Sequence, residues 1–299
     1  MDKRFLSPLL ALLLTLVCLC GALAEKRVYF AGEEDAVPFA QDAQTLDLYV
    51  CPILGADSMI LTAQGQAMLV DMGANTAYRV IRELLEQLGI EKIDIAFNSH
   101  PHNDHLGSIK DIVDHYPVDV FITAFPEDYT GSAVIQKQGI KAVRAADVPI
   151  LTVADGDTLT LGDARMTVIQ QTEFDTPNER SAMLRIEYGN CTLLLTGDVC
   201  ESAQPLLAQT HELSADIFKY PHHGLTPLDE AFLAAVGGEY AFIPHGYLNT
   251  KDAQKQLTQA GIRHDFATWG TIHLSTDGEY WLVEQWLTED GKRYDAKYR

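Results

Sequence analysis

The segment Ser99-His100-Pro101-His102-Asn103-Asp104-His105 constrains this chain more than any other stretch. Four side chains with metal-ligand chemistry fall within six positions, in the order His-x-His-x-Asp-His. Imidazole and carboxylate are the ligands that zinc and its borderline neighbours prefer. A run this dense has room for two cations a few ångströms apart, the geometry in which bound water becomes a nucleophile at neutral pH. The run follows directly on Ile93-Asp94-Ile95-Ala96-Phe97, a short strand of the buried type. A fold that suits it must bring further ligands to the same strand end. The competing reading, a polar loop that happens to be rich in histidine, requires no such partners.

Candidate partners do recur at strand ends. Leu46-Asp47-Leu48-Tyr49-Val50 alternates as a strand, and Ser58-Met59-Ile60-Leu61-Thr62 and Ala67-Met68-Leu69-Val70 form a hairpin about Gln64-Gly65-Gln66, ending at Asp71. Residues 76–88 carry Val80, Ile81, Leu84, Leu85 and Leu88 at helical spacing and stop at Gly89. A helix is expected from near Gly107 to before Pro117, then a strand over 118–123. Residues 151–170 read as short strands around Gly156 and Gly162. Strands at 183–188 and 192–196 flank Gly189-Asn190, a hairpin signal, and the second runs into Gly197-Asp198. A helix then precedes the strand 216–220, which ends at Pro221-His222-His223-Gly224. Another helix, a strand at 240–243, a helix over 250–260 and a final strand through 280–283 complete the pattern, with residues 25–45 as a polar arm. Strands first, then alternating helices and strands, twice over, predict an α/β architecture of two mixed sheets flanked by helices. A doubly wound nucleotide fold is disfavoured, because no Gly-x-Gly-x-x-Gly follows the first strand.

Lys3 and Arg4, the apolar run from Leu9 to Leu19 and Ala22-Leu23-Ala24 have the pattern of a secretory signal peptide. We therefore expect a signal peptide at 1–24, a single domain at 25–299, an exported protein and no stable membrane insertion after cleavage. Beyond the signal, Cys51, Cys191 and Cys200 are an odd number at irregular spacing, which is no disulfide framework and leaves any pairing open. The net charge of −20 repels polyanions and argues against long nucleic acid as a partner. A small phosphodiester is still compatible, since bound cations dominate the local field of a metal site.

The order Asp71, the 100–105 loop, Asp198 and His222-His223 resembles the metallo-β-lactamase superfamily over nearly the whole chain after the signal. Within it, Gly55-Ala56-Asp57-Ser58-Met59-Ile60-Leu61, Leu69-Val70-Asp71-Met72-Gly73, Asn178-Glu179-Arg180-Ser181-Ala182-Met183-Leu184-Arg185, Leu194-Leu195-Thr196-Gly197-Asp198 and Pro221-His222-His223-Gly224 are most similar to the hydrolase domain of the competence protein ComEC and its secreted free-standing relatives. The resemblance implies an αββα sandwich holding two divalent metal ions, zinc first and manganese second. It implies His100 and His102 on the first metal, Asp104 and His105 on the second, and Asp198 bridging them. One of His222 and His223 would close the second shell; the reading leans to His222, leaving His223, with Asp104, a catalytic role. Asp71 would back the histidine loop by fixing a ring tautomer, and Asn178 and His245 would stand at the rim. Most members supply a third histidine to the first metal from the loop before the Asp198 strand. Residues 172–181 contain none, a feature shared by the ComEC-like branch.

The implied activity is hydrolysis by a metal-bridging hydroxide. The resemblance favours a phosphoester, above all a small or cell-wall-attached phosphodiester, because ComEC-like domains and related phosphorylcholine esterases act on such bonds. A lactam or lactone hydrolase is the alternative enzyme, and a secreted binding protein that kept the scaffold is the non-enzymatic one. Lys219 is a candidate phosphate contact and Tyr220 a core residue. Trp269, Trp281 and Trp286 read as packing or rim aromatics.

Overall fold

Burial along the chain follows the apolar pattern closely. The computed structural model describes residues 26–298, so the expected signal segment lies outside the described residues. β2 (Leu46–Val50) alternates buried and half-buried, as a strand with one covered face should. β3 (Met59–Ala63) and β4 (Gln66–Val70) are joined by Gln64 and Gly65, both at positive φ, as the primed hairpin turns require.

These strands sit at the centre of a first sheet that also contains β1 (Val28–Phe30), β5 (Ile93–Asn98), β6 (Val118–Thr123), β7 (Ile150–Thr152), β15 (Gly270–Thr276) and β16 (Trp281–Leu287), in the order β1-β16-β15-β2-β3-β4-β5-β6-β7. The second sheet runs β14-β13-β12-β11-β10-β9-β8, from β8 (Thr158–Leu161), β9 (Ala164–Ile169), β10 (Met183–Tyr188), β11 (Cys191–Leu195), β12 (Ile217–Lys219), β13 (Tyr240–Ile243) and β14 (Arg263–Phe266). Both sheets are mixed: β2 to β4 pair antiparallel and β4 to β6 parallel, and β9 to β11 pair antiparallel and β11 to β14 parallel.

Leu48, Leu61, Met68 and Phe97 of the first sheet meet Met166, Leu184, Leu193 and Phe242 of the second in the central core. Over the outer face of the first sheet lie α1 (Tyr78–Gln87), α2 (Asn103–Leu106), α3 (Ile109–His115) and α4 (Ala133–Ala145), packing Ile81, Leu106, Ile112 and Val143 against Leu69, Ala96 and Phe121. The second sheet is covered by α5 (Gln204–Thr210), α6 (Glu230–Val236) and α7 (Lys251–Gln259), through Leu207, Phe232 and Leu257. This is the expected αββα sandwich.

Three expectations change. The polar arm at 25–45 contains β1, which pairs in parallel with β16 through Val28 and Trp281. The final strand is followed by α8 (Glu289–Tyr298). Residues 103–106, read as loop, form the single turn of α2.

The parallel pairs position the site. β4 and β5 run side by side into Asp71 and the histidine segment, and β11 and β12 run side by side into Asp198 and the His222-His223 pair. Each sheet therefore delivers its candidates from the C-terminal ends of two neighbouring parallel strands.

Candidate metal centre

Asp71 is buried and sits at φ 56°, a left-handed conformation that aspartate tolerates better than most residues. Its Oδ1 accepts from the Ser99 N–H (2.8 Å) and the Asn98 amide (3.1 Å), and its Oδ2 accepts from the Ser99 hydroxyl (2.7 Å). The same Oδ2 lies 2.8 Å from His105 Nδ1. With the Nδ1 proton held there, His105 turns an unprotonated Nε2 inward. Asp57 does the same for His223, its Oδ1 lying 3.1 Å from His223 Nδ1.

The two Nε2 atoms are 3.3 Å apart. Asp198 Oδ2 is 3.1 Å from each, and Asp104 Oδ2 is 3.2 Å from His223 Nε2. Lone pairs and carboxylate oxygens this close repel unless positive charge sits among them. Protons can supply it. Burial opposes protonation of His105, but the carboxylates of Asp198, Asp71 and Asp57 outweigh it and raise the ring to about 10. His223 is likewise raised well above the ordinary imidazole value, burial being overcome by Asp198 and Asp57. A divalent cation answers the same demand: Asp57, His105, Asp198 and His223 bring ligand atoms within 4.8 Å of one another, and with Asp57 taken up by His223 Nδ1 and Lys219, the donors left to a cation are His105, His223, Asp198 and Asp104.

On the other side of Asp198, His100 Nε2 lies 3.1 Å from His102 Nδ1 and 4.0 Å from Asp198 Oδ2. His100 Nδ1 stands 3.1 Å from both the Ser99 and Ser181 hydroxyls, which leaves Nε2 free to face the site. Burial lowers both rings below the ordinary imidazole value, keeping them neutral as metal ligands must be. Asp198 is held by the segment before β10: its N–H donates to Ser181 Oγ at 3.1 Å. Gly197, at φ 51°, suits its glycine: the backbone is left-handed, and a Cβ there would crowd Ser181 Cβ at 3.0 Å.

His222 and His223 both adopt left-handed backbone (φ 46° and 53°), and their ring centroids end up 6.2 Å apart. His223 points into the cluster. His222 is half-buried outside it, with Nε2 3.4 Å from Asn178 Nδ2 and Nδ1 3.5 Å from Thr226 Oγ1 and 3.9 Å from Cys200 Sγ. The structure thus brings His223, and not the favoured His222, against Asp104, His105 and Asp198. Asn178 stands at the rim, with a buried Oδ1 that has no hydrogen-bond partner.

Two further residues complete this centre, Asp57, to which the sequence assigns no role, and Lys219, whose role differs from the expected one. Lys219, expected to face phosphate, is fully buried, with its Nζ 2.7 Å from Asp57 Oδ2 and 3.5 Å from Asp198 Oδ1. It also donates to the Gly197 carbonyl at 2.6 Å. Asp57 is the carboxylate that pairs with it. The available signal was a lysine inside an otherwise apolar strand end, Ile217-Phe218-Lys219-Tyr220. His245 is buried beside the centre, where a Cβ on Gly55 would be 3.2 Å from its Nε2. His273 is a packing residue: it stacks on Tyr49 at 4.4 Å and bonds Asp47 at 2.7 Å. Cys51, Cys191 and Cys200 are free thiols.

Comparison with known proteins bears on this geometry. Residues 52–245 match the family model described as the Metallo-beta-lactamase superfamily. ComE operon protein 3 of Bacillus subtilis (strain 168) is 26% identical over 189 residues, which take in 56% of this chain and 24% of that protein. The chain therefore matches about a quarter of that relative's length. Among solved structures, the metallo-beta-lactamase fold protein YhfI from Bacillus subtilis aligns with a TM-score of 0.52 at 14% identity, covering 75% of this chain and 96% of that one. A mutant of CmlA, the diiron beta-hydroxylase from Streptomyces venezuelae, aligns with a TM-score of 0.52 at 12% identity, covering 77% and 53%. At such identities the likeness is one of fold.

Proposed function

Because the chain belongs to the metallo-β-lactamase superfamily, on its ComEC-like branch, we propose that it is an exported binuclear metallohydrolase acting on a small or cell-wall-attached phosphodiester. The observation that carries this reading is the placement of Asp198 Oδ2, which faces the Nε2 atoms of His100 (4.0 Å), His105 (3.1 Å) and His223 (3.1 Å). One carboxylate oxygen shared by imidazoles from both sides is what a bridging ligand requires.

In this reading His100, His102 and Asp198 would hold one cation, and Asp104, His105, His223 and Asp198 would hold the other. The order within the 222/223 pair is the reverse of the one favoured from the sequence. Zinc in both positions, or manganese in one or both, suits imidazole and carboxylate. Divalent cations at such a site supply Lewis acidity toward a phosphoryl oxygen and bring the pKa of water near neutrality. The chain's own residues do the rest. Asp71 and Asp57 hold the Nδ1 protons of His105 and His223, so each ring offers Nε2 without turning, and the Nε2 proton is the one a cation would displace. Lys219 neutralises Asp57 and the back oxygen of Asp198. His222 and Asn178, 3.4 Å apart on the rim, would bind a phosphoryl oxygen and steer a proton toward the leaving group.

The substrate class rests on the resemblance to the ComEC-like branch, and the acidity of the chain favours small esters over long nucleic acid. Export rests on the sequence pattern at 1–24. Among the described residues no helix is long and apolar enough to cross a membrane.

The test is metal content together with turnover. Elemental analysis after purification without chelator should find about two cations per chain, and fewer than about one would sink the binuclear reading. Bis-p-nitrophenyl phosphate should be hydrolysed and Asp198→Ala should abolish the reaction. Turnover of a β-lactam or a lactone with the phosphodiester untouched would overturn the substrate assignment.

A further inference from the structure

Large exposed apolar side chains lie on segments that adjoin this centre. Six such residues occur among the described residues, and three of them, Leu54, Leu225 and Leu248, lie on loops adjoining the site. Exposed aliphatics are ordinary when scattered singly, and informative when they share a patch. Leu54 (65% exposed) and Leu248 (61% exposed) line a single cavity of about 340 Å³, together with Tyr247, Thr268 and Trp269. Tyr247 and Trp269 are stacked at 6.4 Å between centroids with 26° between planes, and Phe266 packs edge-on to Tyr247 beneath them. The result is an aromatic floor with aliphatic lips, in the size range of a small-molecule pocket.

The cavity is tied to the metal centre through both of its walls. Leu54 lies on the Cys51–Ser58 loop, closed by the Cys51 N–H to the Ser58 carbonyl at 3.0 Å. The same loop carries Asp57, whose side chain bonds His223 and whose N–H donates to the Asp104 carbonyl at 3.0 Å. Three residues span at most about 11 Å, so the Leu54 Cα stands no farther than that from the Asp57 Cα. The opposite wall, Gly246 to Asn249, follows His245, and the His245 ring lies against Gly55.

We propose that this cavity is a substrate subsite that receives an apolar substituent, alkyl or aryl, of the phosphoester whose scissile group occupies the metal centre. The inference rests on the function proposed above. The volume suits one substituent rather than a protein segment, and a net charge of −20 opposes docking on an anionic membrane. The substrate is therefore amphiphilic: a phosphodiester group with an apolar arm long enough to reach the Leu54 wall.

The test uses the metal-loaded protein and p-nitrophenyl phosphodiesters that carry a methyl, hexyl or phenyl second ester. In the wild type, kcat/KM should rise by about tenfold or more from methyl to hexyl. In the Leu54→Ser/Leu248→Ser variant that ratio should fall to near unity. Calorimetric binding of hexylphosphonate against methylphosphonate gives a readout independent of turnover, with the same preference expected. The phenyl ester tells whether the aromatic floor or the aliphatic lips dominate. Equal kcat/KM for all three esters in the wild type, or a hexyl preference untouched by the two substitutions, overturns the subsite and leaves the hydrolase reading standing. A hexylphosphonate preference without turnover of any phosphodiester does the opposite.

Discussion

A lysine with no exposed surface next to two carboxylates is costly to build, and Lys219 is such a residue. Its Nζ lies 2.7 Å from Asp57 Oδ2 and 3.5 Å from Asp198 Oδ1. Burial disfavours the ammonium, yet the two carboxylates hold its pKa above the ordinary lysine value, so it is charged at any working pH. The Asp57 carboxyl, which burial alone would raise, is lowered by Lys219 and His223 in return. Lys219 thus acts as a resident cation, keeping two buried carboxylates in place whether or not a metal is bound. Removing one partner of a buried ion pair costs about 3–5 kcal/mol, because the other charge is left uncompensated. Lys219→Met should show that loss by denaturant unfolding of the chelated protein, and a smaller loss with zinc present, when a cation supplies the missing charge. Equal losses in both conditions would reduce Lys219 to a packing residue. Adding Asp57→Asn to the same variant should recover part of the stability, since the orphaned charge is then gone.

The turn at 221–224 governs more of the chemistry than its length suggests. His222, His223 and Gly224 follow one another at φ 46°, 53° and 78°, a run that costs free energy at the two non-glycine positions. It sends consecutive imidazoles in different directions, and sequence alone cannot say which one turns inward. That is why the strand, the motif and its place at the strand end were legible while the assignment within the pair was not. The same holds more widely. β2, β6 and β13 coincide with their apolar runs, because alternation or continuous burial marks each one. α4 gave no signal: Gly139 interrupts its periodicity, and the reason for that glycine is tertiary, since a Cβ there would meet Leu106 Cδ2 at 2.8 Å. Asp57 and Lys219 escaped the site assignment for a similar reason, as their pairing spans the two sheets. The turn makes a separable prediction. His223→Ala should leave about one cation per chain, whereas His222→Ala should retain both and lose about 10²–10⁴-fold in kcat, the usual worth of a positioned proton donor. The reverse stoichiometry by elemental analysis would restore His222 as the ligand.

At the scale of the whole molecule the centre is a junction between sheets. Asp71 and the 100–105 segment come from the first sheet, and Asp198, Lys219 and His223 from the second. Whatever neutralises the cluster therefore also holds the two halves of the sandwich together, and metal removal becomes a question of global stability. In the chelated protein the positive charge must come from protons on His105 and His223, both of which titrate higher in the folded state than a free imidazole. A folded-state pKa raised above the unfolded value contributes stability that is fully present below the unfolded pKa. That contribution fades as pH rises toward the folded pKa. For His105 the window runs from about 6.5 to about 10. A bound cation is not titrated away over this range, so the loaded protein carries no such loss from the centre. The melting temperature of the chelated protein should fall as pH is raised from 6.5 toward 9.5, while that of the loaded protein changes much less, and the gap between them should widen with pH. Ligand linkage adds a constant offset at fixed free metal and saturated sites, plus a term that itself grows with pH as proton competition is relieved, so the two act in the same direction. Parallel melting curves across that range would mean that the cluster is neutralised in some other way, and that the two sheets do not depend on it for their contact.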